Sequence, residues 1–299
     1  MSDTLNMIRD TLISDSLYTR DLEHLDELEC QDVLSTGMLE FDVNMERNAK
    51  TGQCGLKYGK MLELVGQQGT LKTRLCLELV ARHLQKPNSF VIWQDAEQAA
   101  DHEFFTQVLE DAGVDPELAK NIVVQQVQDI NTVIINFKRI SDKLQQIEEK
   151  ERKKPENKGK QSWELVPRVL FVLDSLAGLL STYDLNSFET KLQKAADKDA
   201  RDDLDDFSAK VGGHAGELHR MFKYMKLPVK LYGMMFVFTN HFRMDLSPSM
   251  RKYTPAHDAC TKYYISTRLI TSSYHSDGDR RALSKSRTSL GQEYVPGQP

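Results

Sequence analysis

From Gly59 onward, short unbroken apolar runs alternate with segments of helical spacing. "KMLELVG", "SFVIWQDAE", "NIVVQQV", "RVLFVLDSLAGLL" and "YGMMFVFTNH" read as strands. "KTRLCLELVARHLQ", "ADHEFFTQVLEDAG", "INTVIINFKRISDKLQQIEEKE" and "GELHRMFKYMK" read as helices. A strand that is apolar at every position is covered on both faces. Such strands alternating with helices build a mostly parallel sheet between helical layers. Residues 1–32 differ: Leu5, Ile8 and Leu12, then Leu22, Leu25 and Leu28, recur at helical spacing among many acids. They predict a short helical N-terminal element, packed on its own domain or on a neighbouring subunit, ahead of a core spanning residues 33–299.

Two segments break the alternation. "EEKERKKPENKGKQ", Glu148 to Gln161, is charged and carries a proline and a glycine, so an exposed insertion is expected there. "KAADKDARDDLDDF", Lys194 to Phe207, is an acidic stretch expected to be mobile. With 40% hydrophobic and 28% charged residues the composition is that of a globular domain, and the net charge of −5 argues against a surface coated in basic charge. A local basic loop remains compatible with that balance. The four scattered cysteines (Cys30, Cys54, Cys76, Cys260) form no C-x-x-C pair, which argues against a disulfide framework or a structural zinc site. The opening "MSDTLNMIRD" lacks the layout of a signal peptide, and the longest apolar run is too short to span a bilayer. A soluble, cytoplasmic protein is expected.

The chemistry concentrates at the ends of the strand candidates. "GQQGTLKT", Gly66 to Thr73, follows a strand and opens a helix, and it matches G-x-x-x-x-G-K-[ST] except at Leu71. A helix start there offers backbone N–H groups and a positive helix end to phosphate; Lys72 would reach the β- and γ-phosphates and Thr73 would hold Mg²⁺. Leucine in place of the last glycine is costly if that position needs a positive φ, and cheap if it is helical or extended. Asp174 ends the strand "VLFVLDS", placed to hold the Mg²⁺ shell, and Glu97 follows the strand "VIWQDAE", placed to deprotonate an attacking water. A phosphate loop, a Glu and an Asp on three strand ends in this order point to a nucleotide site.

These residues also carry a resemblance. From Val33 to Leu290 the chain resembles the RecA family of recombinases: "STGMLEFD" and "GLKYGKMLELVG" look like the lead-in to its phosphate loop, and "DAEQAAD" like the segment with the catalytic glutamate. "LDSLAGL" is similar to the Mg²⁺ aspartate strand, "FTNHFRM" to the strand end that senses the γ-phosphate, and "SKSRTS" to the paired basic residues that enter a neighbouring ATP site. A bulky residue at Leu71, Asn240-His241 at the sensor and the run Lys285 to Arg287 lean toward the phage UvsX-like branch.

The resemblance implies a RecA-like P-loop ATPase core with ATP and Mg²⁺ between subunits. Gly66, Gln67, Gln68, Gly69, Thr70, Leu71, Lys72 and Thr73 would surround the phosphates, with Asp101 and Phe104 on the nucleotide and Phe104 stacked on adenine. Thr73 and Asp174 would hold the metal, Glu97 would be the base, His241 the sensor, and Lys285 and Arg287 the cations given to the next subunit. Single-stranded DNA would meet a loop from about Phe242 to Lys262, with Arg243, Arg251, Lys252 and Lys262 on phosphates and Phe242 and Tyr253 on bases. A first loop, roughly Tyr183 to Val211, would offer Lys191, Lys194, Arg201 and Lys210 beside its acids.

The expected protein is an ATP-dependent recombinase that forms a homo-oligomeric filament on single-stranded DNA and pairs it with homologous duplex. Mediator or single-strand-binding proteins are expected partners, membranes are not, and the setting is the bacterial cytoplasm, a phage-infected cell included. The chain stops at "GQEYVPGQP", where the RecA pattern continues into a C-terminal domain, and this bears on duplex capture. The competing readings are a recombinase-like accessory or mediator with little turnover, and a RecA-fold ring helicase.

Overall fold

The unbroken apolar runs become the inner strands of one sheet. A computed structural model describes residues 29–182, 185, 213–244, 253–272, 285–287 and 293–294. The expected N-terminal helix, the acidic stretch 194–207, and Arg251 and Lys252 lie outside these residues. The sheet contains β4 (Met61–Gly66), β5 (Ser89–Asp95), β6 (Ile122–Gln126), β7 (Arg168–Asp174), β8 (Met235–Met244) and β10 (Thr267–Thr271), in the order β10-β4-β8-β7-β5-β6 and all parallel. β11 (Lys285–Arg287) and β12 (Glu293–Tyr294) continue it antiparallel beyond β10, and β9 (Tyr253–Pro255) folds back on β8. A small antiparallel sheet of β1 (Val33–Leu34), β3 (Cys54–Lys57) and β2 (Glu46–Arg47) precedes it.

Alternation along each strand sorts the core into two layers. Leu170 and Val172 of β7 pack with Leu62, Leu64, Val91 and Trp93 under α1 (Lys72–Leu84) and α2 (His102–Asp111). Phe171 and Leu173 face the other way, with Phe236 and Phe238, against Phe137 of α3 (Ile130–Arg152) and Leu218 and Phe222 of α4 (Gly213–Leu231). Phe171 meets Phe137 and Phe236 edge-on, at centroid distances of 5.3 and 5.5 Å. Full burial of one such ring stabilises the fold by about 1.5–3 kcal/mol. The α/β architecture with a mostly parallel sheet between helices is therefore as expected.

One expectation needs correction and a second holds with two exceptions. β6 is an edge strand, so Val123 and Val124 are exposed although the run is apolar. Glu148 to Gln161 is mostly exposed, as expected, but Glu148 and Asn157 are buried: Glu148, near the end of α3, accepts a hydrogen bond from Ser162 Oγ at 2.6 Å. Asn157, also buried, donates to the Glu151 carbonyl at 2.9 Å, which closes the elbow before β7. Satisfied polar groups, rather than apolar ones, hold this turn, and a pattern of charges does not reveal such pairing.

Below the sheet, the imidazole of His83 is fully buried between the Tyr58 hydroxyl (2.7 Å from Nδ1) and the Phe90 carbonyl (3.2 Å from Nε2). Burial holds it neutral, with its pKa lowered from 6.5 to about 4. The unfolded chain takes up a proton below pH 6.5 that the folded one refuses until about 4. Stability is thus intact above pH 6.5 and falls as the pH drops through that window, by up to about 3 kcal/mol. Urea titrations of the wild type and His83→Gln across this window should show that the variant loses this part of the slope.

Candidate active site

Parallel strands present all their carboxyl ends on one side, and β4, β5, β7 and β8 bring the sequence-predicted groups together there. The β4–α1 loop begins at Gly66, where a Cβ would stand 2.2 Å from Thr271 Oγ1 and 2.5 Å from Thr70 Oγ1, so no larger residue fits beside β10. Thr70 Oγ1 donates to the Gln67 carbonyl and lies 2.7 Å from Thr271 Oγ1, which pins the loop to β10. Gly69 takes φ +74° and Leu71 takes φ 62°, ψ 23°. Leu71 therefore occupies the costly alternative: the left-handed region strains a leucine by about 1–2 kcal/mol. Its side chain is 71% exposed, so packing does not offset the strain.

α1 starts at Lys72 with no side-chain cap, leaving its first-turn N–H groups facing the loop. Lys72 is buried and its ammonium donates to the carbonyls of Gly66 (3.2 Å) and Gln67 (2.9 Å). Burial lowers its pKa, against the pull of Glu97 and Asp174. Thr73 Oγ1 donates to Asp174 Oδ2 at 2.8 Å, while Thr239 of β8 donates to Asp174 Oδ1. Burial raises the Asp174 pKa, and these two hydroxyls oppose the rise. The peptide after Asp174 is cis.

The Asp174 carbonyl accepts the Ala96 N–H at 2.7 Å and the Glu97 N–H at 3.3 Å, which brings Glu97 over the end of β7. Glu97 Oε1 lies 2.9 Å from His241 Nε2, and this hydrogen bond chiefly holds the Glu97 pKa at about 2. Gln68 to Arg74, Glu97, Phe104, Asp174 and His241 line a cavity of about 230 Å³, with Phe104 and Leu71 as its exposed apolar rim. No protein-family model and no curated protein matches the chain. The site's chemistry has to be read from its own geometry.

Not every expected residue joins the cavity. Asp101 is the N-cap of α2, accepting the Phe104 N–H at 2.8 Å, and Asp95 accepts the N–H groups of Ala99 and Ala100. Phe242 and Arg243 are not in an irregular loop: they extend β8 and pair with Pro255 and Thr254 of β9, so the segment returns as a hairpin. Tyr253 is the first residue of β9. Lys262 caps the short helix Asp258–Thr261 with its ammonium 5.2 Å from the Tyr263 ring centroid. Lys285 and Arg287 occupy β11 opposite Ile270 and Arg268.

Sequence reading missed Thr239 and Thr271. A hydroxyl at the carboxyl end of an otherwise apolar run, as in "FVFT" and "LIT", was the available signal. Leu71→Gly removes the left-handed strain and adds glycine's backbone entropy, for a net stabilisation of about 0.5–1 kcal/mol. Urea denaturation of the two proteins measures it.

Proposed function

We propose that the chain is an ATP-hydrolysing DNA recombinase core of the RecA kind. One observation carries this reading: Lys72, Thr73, Asp174, Glu97 and His241, scattered over the sequence, line a single cavity at the carboxyl ends of parallel strands. Ligands of open parallel sheets bind at that end. The helix start, the Lys72 ammonium and the two apolar rim residues suit a nucleoside triphosphate, with phosphates toward α1 and base toward Phe104.

Thr73 and Asp174 offer two hard oxygen ligands to Mg²⁺, and the described residues hold no cluster of three or more His, Cys, Asp or Glu side chains that would bind a metal unaided. A sparse donor set of this kind fits an ion that keeps phosphate and water in its shell, where it neutralises charge on the phosphates. Lys72 would leave the loop carbonyls for the phosphates, and Glu97 would accept a proton from the attacking water. Held by His241, Glu97 is a weak base, so a histidine drawn toward the phosphate would free it. Lys285 and Arg287 would serve a neighbouring copy's site, in a homo-oligomeric filament on DNA.

Single-stranded DNA, and the homologous duplex it pairs with, would meet the β8–β9 hairpin, which carries Phe242 and the exposed Arg243. No helix among the described residues is long and apolar enough to cross a membrane. The same Glu97–His241 bond favours a second reading, a slow accessory protein that binds nucleotide and a true recombinase.

Steady-state ATP hydrolysis with and without saturating single-stranded DNA at low salt separates the two. Strong stimulation, lost about 100-fold or more in Lys72→Ala, is expected for the recombinase. ATP binding without turnover would replace that reading with the accessory one. The pair makes a further demand on the DNA-free rate. Without His241 the Glu97 pKa returns from about 2 toward 4.5, so kcat/KM, which reports the free enzyme, should fall for His241→Ala as the pH approaches 4.5 while the wild type's Glu97 stays ionised. Matched pH–rate profiles of the two proteins check this; identical acid limbs would remove Glu97 as the base.

A further inference from the structure

Behind the cavity lies a closed circuit of buried polar groups. Glu63 of β4 is fully buried, and its carboxylate accepts Asn240 Nδ2 at 2.7 Å and Arg268 Nε at 2.5 Å. Arg268 of β10, also buried, reaches Thr261 Oγ1 at 3.2 Å and Asp258 Oδ1 at 2.7 Å, both in the short helix that follows the hairpin. Asn240 Nδ2 donates as well to the Ala256 carbonyl at 2.7 Å. The His241 N–H donates to Asn240 Oδ1 at 2.9 Å, and the His241 carbonyl accepts the Ala256 N–H at 2.7 Å. His257, which joins the hairpin to the helix, is held at φ 58°.

Both backbone groups of His241 are thus bonded to residues fixed by the hairpin's return. That return is anchored through Asp258, Arg268 and Glu63 to the strand that feeds the β4–α1 loop. We infer that Glu63, Arg268 and Asp258 are positioning residues through which the β8–β9 hairpin sets the His241–Glu97 pair. The inference rests on the proposed function, since the signal is DNA bound at the hairpin. Displacing Ala256 to Thr261 moves either His241 directly or Arg268, and through Arg268 the Glu63–Asn240 bond that holds the His241 N–H.

Stapling the sheet does not require these charges. Glu63 and Arg268 are already opposed in the β4–β10 ladder, and an apolar pair would join them at a lower desolvation cost. What the ionic circuit adds is a fixed link between the helix 258–261 and His241.

The test compares the wild type with Asp258→Asn and with the double variant Glu63→Gln/Arg268→Met, which removes both buried charges together. ATP turnover is measured with and without a saturating single-stranded oligonucleotide, and the oligonucleotide's affinity by fluorescence anisotropy. Both variants should lose stimulation by about fivefold or more. Oligonucleotide affinity should stay within about twofold, because neither variant alters Phe242 or Arg243 of the hairpin. Stimulation at the wild-type ratio overturns the inference, because a plain sheet staple would change stability alone. Lost stimulation that returns at higher oligonucleotide concentration also overturns it, as a binding defect. Asp258, whose side chain is 34% exposed, decides alone where the double variant does not fold. A wild-type protein that DNA does not stimulate overturns the proposed function first, and this inference with it.

Discussion

Asp174 ends β7 in a place where burial raises its pKa, and the cavity is organised by the groups that oppose that rise. The hydroxyls of Thr73 and Thr239 hold its two oxygens, tying the first turn of α1 and the strand β8 to one carboxylate. Its carbonyl receives the N–H groups of Ala96 and Glu97, so the chain leaving β5 folds over the same point. Three chain segments converge because one anion needs donors, and each brings a functional side chain with it. Hydroxyls suit this role because they donate to the carboxylate yet add no charge that would compete with a cation arriving later.

The resting arrangement is quiet by construction. Lys72 spends its protons on two loop carbonyls, Glu97 is held by His241, and Asp174 by two hydroxyls. Each group is satisfied, as buried polar groups must be, but each has a partner that a phosphate or a metal would replace with a stronger one. Strain resides at Leu71, whose left-handed backbone aims the loop despite its side chain. Strained backbone of this kind persists where the surroundings over-determine it. Here the Thr70–Thr271 contact and the crowding at Gly66 supply that constraint.

The inner strands and the long helices were legible because they bury whole faces and leave a periodic trace. The small β1-β3-β2 sheet was not, since strands of two to four residues are too short to show a period. The site was legible where residue type and position in an element sufficed: Lys72 and Thr73 at a helix start, Asp174 at a strand end. It was not where partners lie far apart in sequence, as Thr239 and Asp174 do. Asp101 shows the converse. Its place before a helix reads equally as a ligand or a cap, and the hydrogen bond to the Phe104 N–H makes it a cap.

Arg268 is the clearest case of a residue whose type carries information that its strand does not. "TRLIT" needs no charge to form β10, and the ladder opposite β4 would close around a leucine as well. A guanidinium differs by presenting several donors in a rigid fork. In this protein the fork donates to Glu63 and Thr261 and forms an ion pair with Asp258. An apolar side chain at that point would leave the helix 258–261 with the packing of Cys260 but without its polar tie to β4. The arginine gives it one position, and with it one position for Ala256 and the backbone of His241. The desolvation cost of the charges is thus balanced by a definite geometry between the hairpin and the cavity, which apolar packing at this position does not provide.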